Sequence, residues 1–254
     1  MLKNLFKIAY RSLIKKKVYS LINIVGLSIG AASTLLIFLY VQRELSYDEF
    51  YTDTDRLYRV AVDRQYPDRL ANFAMIPGGW SQVFVEEIPE IEKSVRIAGF
   101  PDFASVFQYK DLSFQERYIF FADSNFFDVL DFKLLKGDPA TVLIHPNTLI
   151  LTESMATKYF GDEDPIGKQI KVDSTHNEVV GVMQDIPSNS HFKIDFLSSY
   201  ANVEFMVNPS YYISSSYTYI KLVKDSSPKS AELKIPSLVE KYAAGEIERD
   251  LGIS

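Results

Sequence analysis

Residues 19–41 read YSLINIVGLSIGAASTLLIFLYV, 23 consecutive positions without a charged side chain. At about 1.5 Å per residue, a helix of that length crosses a hydrocarbon core of roughly 30 Å. Twelve of the 23 are Leu, Ile, Val or Phe. At roughly −0.3 to −0.6 kcal/mol each near mid-membrane, they supply about −4 to −7 kcal/mol toward insertion. Asn23, three serines and Thr34 return only part of that. The stretch reads as a membrane-spanning helix, and every other segment has to be placed on one side of it or the other.

The flanks set that placement. Residues 1–17 hold Lys3, Lys7, Arg11, Lys15, Lys16 and Lys17 and no acid, whereas the far side reads RELSYDEF, with Arg43 beside Glu44, Asp48 and Glu49. Excess Lys and Arg stay cytoplasmic, so the N-terminus is expected inside and everything after residue 41 outside. A cleaved signal peptide would have a shorter apolar core, about 7–15 residues, followed by a small-residue cleavage site. Here Ala31-Ala32-Ser33 is followed by LLIFLYV after Thr34, and an uncleaved anchor is expected. Residues 1–18 place Leu2, Leu5, Phe6, Ala9, Leu13 and Ile14 at helical spacing among cations, the pattern of a basic amphipathic helix lying on an anionic cytoplasmic leaflet.

Within the span, Asn23, Gly26, Gly30 and Ser33 recur at i, i+3, i+7 and i+10. Gly26-Leu-Ser-Ile-Gly30 is a G-x-x-x-G spacing that lets a second helix approach closely. A helix-packing role is expected for these four residues. No other apolar run of sufficient length is present, so the packing partner is expected to come from elsewhere.

The remainder has a globular composition, with the whole chain 47% hydrophobic and 24% charged. The formal net charge of −6 conceals an asymmetry: without the six N-terminal cations, 21 basic side chains face 33 acidic ones. An acidic exterior argues against nucleic acid as a partner. The absence of cysteine excludes disulfides and thiolate chemistry.

In chain order, the helix is expected to continue past the membrane until TDTD (52–55). LYRVAVDR (57–64) alternates as one strand, with Tyr58, Val60 and Val62 on one face. A loop over 75–79 leads to a helix from Trp80 to Ile88, ended by Pro89. Strands are expected at 95–100, 104–110 and 115–122, with a short helix near 125–130. TLIL (148–151) reads as a strand. Thr152 would cap the helix that follows, with Gly161 its C′ residue. Residues 168–173 and 178–183 read as paired strands, DIPSNSHF (185–192) as a turn, 217–223 as a strand and 228–244 as an amphipathic helix.

Three patterns imitate chemistry. Gly26-Leu-Ser28-Ile-Gly30 fits a hydrolase nucleophile motif, but that serine needs a sharp strand-to-helix turn beside a base, and here it lies mid-span. Gly161-DEDPI-Gly167-Lys168-Gln169 resembles a phosphate loop with one residue too many, no Ser or Thr after the lysine, and three acids that would repel phosphate. His145, His176 and His191 lack ligand spacing and a carboxylate orienter. No catalytic residue, cofactor site or metal site is assigned, and any ATP chemistry is expected on another chain.

Several blocks together carry a resemblance: LFKIAYRSLIKKK leading to NIVGLSIG; ELSYDEFY and DRLYRV past the membrane; PNTLILTESMATKYFGDEDPIGKQIKV; and VVGVMQDIPSNSHFKIDFL. In order and spacing, the chain resembles the MacB/FtsX-type ABC transporter permeases, which carry a MacB-like periplasmic core domain. The turn positions of the last two blocks are Gly161, Asp164, Pro165, Gly167 and Lys168, then Asp185, Pro187, Asn189, Ser190 and His191. The resemblance implies an α+β external domain over 42–254, commonly in two subdomains. It also implies a cytoplasmic ABC ATPase as partner, a second permease unit or further membrane helices, and a periplasmic or outer-membrane partner. Family members near MacB relay ATP-driven closure to the external domain. On that reading Tyr47, Asp48 and Phe50 stiffen the exit from the membrane. The chain reaches Ser254 without the later membrane helices of the family, so it matches only the N-terminal part of a permease: either it is a fragment or truncated product, or another chain supplies the rest. A single-span sensor or binding module is the competing reading, and an anchored hydrolase lacks any nucleophile–base constellation.

Overall fold

The computed structural model describes residues 7, 10, 11, 14–48, 53–65, 68–203, 211–213 and 215–251. The chain divides into two units, residues 1–48 and 49–254. In the first, α1 (Lys17–Leu45) runs for 29 residues with no buried side chain. It is long and apolar enough to cross a membrane by length and composition. It stops at Leu45, short of TDTD: the Ser46 and Tyr47 amides donate to the carbonyls of Gln42 and Glu44, and Asp48 takes a φ of +58°. Of the amphipathic segment, Lys7, Tyr10, Arg11, Ile14 and Lys15 are helical. Leu2, Leu5, Phe6, Ala9 and Leu13 lie outside the described residues.

The second unit is built on strands. A one-turn 3-10 helix (Thr54–Arg56) leads into β1 (Leu57–Val60), β2 (Val62–Gln65) and β3 (Leu70–Phe73). After α2 (Trp80–Glu87) come β4 (Ile91–Gly99), β5 (Ser105–Tyr109), β6 (Leu112–Glu116) and β7 (Ile119–Ala122). Then follow α3 (Phe126–Val129), β8 (Leu134–Lys136), β9 (Thr148–Thr152), α4 (Glu153–Phe160), β10 (Gln169–Val172) and β11 (Thr175–Met183). β12 (Phe196–Ser199), β13 (Tyr217–Leu222), α5 (Pro228–Glu232), α6 (Ile235–Tyr242) and α7 (Ala244–Leu251) complete the order. Eleven strands form one mixed sheet, β1-β13-β4-β7-β12-β9-β11-β10-β5-β6, with β8 beside β11; β2 and β3 pair separately. β7 with β12 and β9 with β11 are parallel. The architecture is α+β.

Successive side chains of a strand point to opposite faces, and here both faces are covered. Val95, Ile97, Phe120, Ile150 and Leu197 meet α3, Leu143 and Phe192 on one side. Leu149, Leu151, Ile119 and Phe196 meet Phe107, Ile170 and α4 on the other. A third cluster packs Ile220 and Leu222 of β13 against Trp80, Val83 and Phe84 of α2 and against Leu238 of α6. Thr152 caps α4 by accepting the Met155 amide.

Several expected elements break in two. The strand over 57–64 splits at Ala61, because β1 joins the large sheet and β2 turns away to pair with β3. The strand over 115–122 splits at Arg117: β6 belongs to a sheet edge beside β5, β7 to the centre beside β4 and β12. Residues 168–173 pair with β11 only up to Glu178, beyond which β11 runs against β9. The helix over 228–244 is α5, α6 and the start of α7. Pro236 has no amide to donate and its ring would strike the carbonyl four residues back; it sits instead in the first turn of α6.

Gly137, Gly161 and Gly167 take positive φ, at +101°, +60° and +77°. A Cβ on Gly161 would meet open space, whereas one on Gly137 would lie 2.6 Å from the Val180 carbonyl oxygen. Gly161→Ala should cost about 1–3 kcal/mol from backbone strain alone. Gly137→Ala should cost more, because the clash is with backbone. Urea denaturation of the two variants checks the order.

Candidate functional site

At 100° per residue, Asn23, Gly26, Gly30 and Ser33 fall within about 80° of one another around α1. All four are exposed, and a Cβ on either glycine would meet nothing within 4 Å. The stripe is a shallow surface with one amide at its start. The Thr34 hydroxyl donates to the Gly30 carbonyl at 2.9 Å, which satisfies that hydroxyl inside the helix. At the exit, Tyr47 is partly exposed and Asp48 sits in the turn. Phe50 lies outside the described residues.

The motif turns are tied down locally. In the acidic turn after α4, Asp164 pairs with Lys136 at 2.9 Å, and Glu163 pairs with Lys168 and, at 3.5 Å, with Lys110. The hydrogen bond from Lys136 holds the Asp164 carboxyl below its ordinary value, and Lys168 does the same for Glu163. The Gly167 amide donates to Val179 and the Lys168 amide to Pro165. The turn therefore fastens the sheet, with its lysine over the Phe160 ring at 5.3 Å. In the second turn Asp185 accepts from the Ser154 amide and hydroxyl at the start of α4. Ser190 is buried and accepts the Phe192 amide, and its own amide donates to Pro187. His191 Nε2 lies 2.6 Å from the Tyr219 hydroxyl. The two turns thus act at opposite ends of α4; Asn189 lies in the second.

Two features were not visible in the sequence. Arg96 of β4 makes a two-pronged pair with Asp123, 27 residues on, and lies 4.1 Å over the Tyr200 ring. The second is a cavity of about 420 Å³ bounded by residues 60–65, 76–84, 211–212 and 235–247. Trp80, the sole tryptophan, forms part of its wall, edge-on to Tyr211 at 5.2 Å and to Tyr242 at 6.4 Å. Ion pairs hold the wall together: Lys241 and Tyr242 donate to Glu87, and Lys234 and Ser230 donate to Glu90. No spacing rule joins four such distant segments.

The three imitations of chemistry separate. Ser28 lies mid-helix and exposed, Gly161–Gln169 is the acidic turn just described, and the three histidines occupy different loops and strands.

With this geometry in view, the model of the MacB-like periplasmic core domain matches residues 20–238. The chain belongs to the MacB-like periplasmic core domain family. The match takes in the apolar helix, the whole sheet and α2 of this MacB-like chain, and ends within α6. Solved structures that share its fold include the following two. A domain of a protein assigned as a permease, from Porphyromonas gingivalis, is 23% identical with a TM-score of 0.68, covering 82% of this chain and 90% of that one. The periplasmic region of MacB from Actinobacillus actinomycetemcomitans is 17% identical with a TM-score of 0.51, covering 71% and 84%. No curated protein matches the chain.

The Glu90 clasp of this MacB-like domain has a pH signature. Hydrogen bonds from Lys234 and then Ser230 lower the Glu90 carboxyl to about 2. A carboxyl lowered on folding stabilises the fold above its unfolded value, ordinarily near 4.5, and that contribution fades as pH falls toward 2. Carboxyl-carbon NMR of Glu90 should titrate near pH 2, and Lys234→Met should return the midpoint upward. A midpoint near the ordinary value in the unaltered protein would contradict the clasp.

Proposed function

We propose that this chain is the first membrane helix and external domain of a permease subunit in an ATP-driven inner-membrane complex. The observation that carries the reading is the family match, which runs without interruption from the apolar helix into the external sheet. The domain plan is a cytoplasmic basic segment over 1–18, a span over 19–41 and a periplasmic domain over 42–254. The N-terminal cations place that segment inside by the positive-inside rule.

The subunit is non-catalytic on this reading. The one glycine-lysine turn is locked into the sheet by its own backbone hydrogen bonds, and ATP hydrolysis belongs to a separate cytoplasmic ATPase. The work of this chain is mechanical. Closure of the ATPase moves the helices, and the external domain moves with them to drive export or to act on a periplasmic or outer-membrane partner. A relay needs elements that move as rigid pieces. An unbroken 29-residue helix and a continuous sheet are both of that kind. Asn23, Gly26, Gly30 and Ser33 are the contact with a later helix or a second permease unit, and Tyr47, Asp48 and Phe50 stiffen the exit. The bilayer is the remaining partner, and the acidic exterior disfavours nucleic acid.

Gly26→Leu with Gly30→Leu in the full permease should lower copurified ATPase and ATP-coupled activity by roughly tenfold, the effect of losing about 1–2 kcal/mol of helix contact. Replacing residues 19–41 by polyleucine should do the same if the span is a working part. Full ATP-coupled activity with the polyleucine span would make the helix only a tether, and no copurified ATPase with the unaltered permease would favour the sensor reading.

A further inference from the structure

We propose that the cavity beside Trp80 binds a free medium-chain alkanoate, its hydrocarbon tail against the aromatic and aliphatic wall and its carboxylate at Arg64. The site belongs to the external unit alone and stands apart from the permease reading. The cavity, about 420 Å³, falls in the range of small-molecule sites. Its wall is built by Val60, Ile76, Trp80, Phe84, Val239 and Ile247, with little polar surface among them. Ile76, Trp80 and Phe84 are buried behind this space, while Val239 at its mouth is exposed. A hydrocarbon chain in the space removes the remaining exposed apolar surface from water and fills the gap between the walls.

Size and charge narrow the ligand. Taking a methylene at roughly the 30 Å³ of a liquid water, the space holds on the order of a dozen carbons, one chain and not two. Arg64 is the one charged residue among the described lining residues. Its half-buried guanidinium donates to the Tyr212 carbonyl and lies over the Phe73 ring, 5.3 Å from its centroid. A guanidinium so held beside an apolar wall favours a carboxylate through charge-assisted hydrogen bonds. A ligand carrying further charges would bury them without partners, which is costly. The wall is also set in advance. The Glu87 and Glu90 ion pairs hold α5 and α6 against α2 and the start of β4, so little ordering cost is left for binding.

Trp80 supplies the measurement, because no other tryptophan contributes to the emission. The probe is undecanoate brominated at its terminal carbon, added to the full chain in phosphatidylcholine vesicles. The expected result is saturable quenching. Brominated undecanol should bind about tenfold more weakly, and Arg64→Gln should erase that difference. Ala61→Phe, at an exposed lining position, should weaken both probes at least about tenfold while leaving the circular dichroism and melting temperature unchanged. Quenching that rises without saturation, or that Ala61→Phe leaves intact, would mean partition into the bilayer and would overturn the site. Equal binding of the alcohol and the acid would overturn the assignment of the carboxylate to Arg64.

Discussion

Burial on both faces of the central strands is the constraint that shapes the external unit. Val95, Ile97, Leu149, Ile150, Leu151, Phe196 and Leu197 are all at or near zero exposure, though they point alternately to opposite sides. A sheet of that kind needs a layer on each face. One face takes α3 and the 130–143 segment, and the other takes α4, with Phe107 of β5 and Ile170 of β10 in the same cluster. The β13 end takes α2 and the C-terminal helices. The cavity lies where this last cover is made of short pieces and not of one long helix.

Charges serve the covering layers more than the core. Lys158 and Tyr159 of α4 both reach the buried Glu116 at the end of β6, and burial pushes the Tyr159 hydroxyl strongly upward. Arg96, Asp123 and Tyr200 join β4, the end of β7 and the turn after β12 in the same way. Removing one member of a buried group of this kind leaves the others unpaired in a poor solvent for charge, which costs more than the pair itself contributes. The exposed pairs of the acidic turn, between Lys110, Lys136, Lys168 and Glu163, Asp164, are each worth far less.

Legibility in the sequence divides along the same line. TLILT, its Thr152 cap and Gly161 are local: period, cap and positive φ all act within a dozen residues, and each was legible. The break at Ala61 was not, because LYRVAVDR alternates without interruption and only the pairing of β1 with β13 and of β2 with β3 divides it. Pro236 was a local signal that amphipathic periodicity outweighed. Arg96 and Asp123 looked like ordinary strand and turn residues, since nothing in a strand's own pattern reveals which distant carboxylate will face it. The cavity was least legible of all. Its apolar residues carry the same signature as core residues, and only their arrangement leaves a space between them.

The span poses the reverse case. Its sequence pattern is plain, yet α1 buries none of its side chains within the chain, while the external unit has clusters complete in themselves. Folding of the external sheet therefore places no demand on the identity of residues 23, 26, 30 and 33. Leucine at each would serve a simple anchor better, since glycine forgoes apolar surface and an asparagine amide in hydrocarbon is costly without a partner. On the proposed packing role, a second helix close enough to pack on the glycines and to accept from or donate to Asn23 would offset both losses. The composition of this stripe is what the proposed neighbour in the bilayer would require.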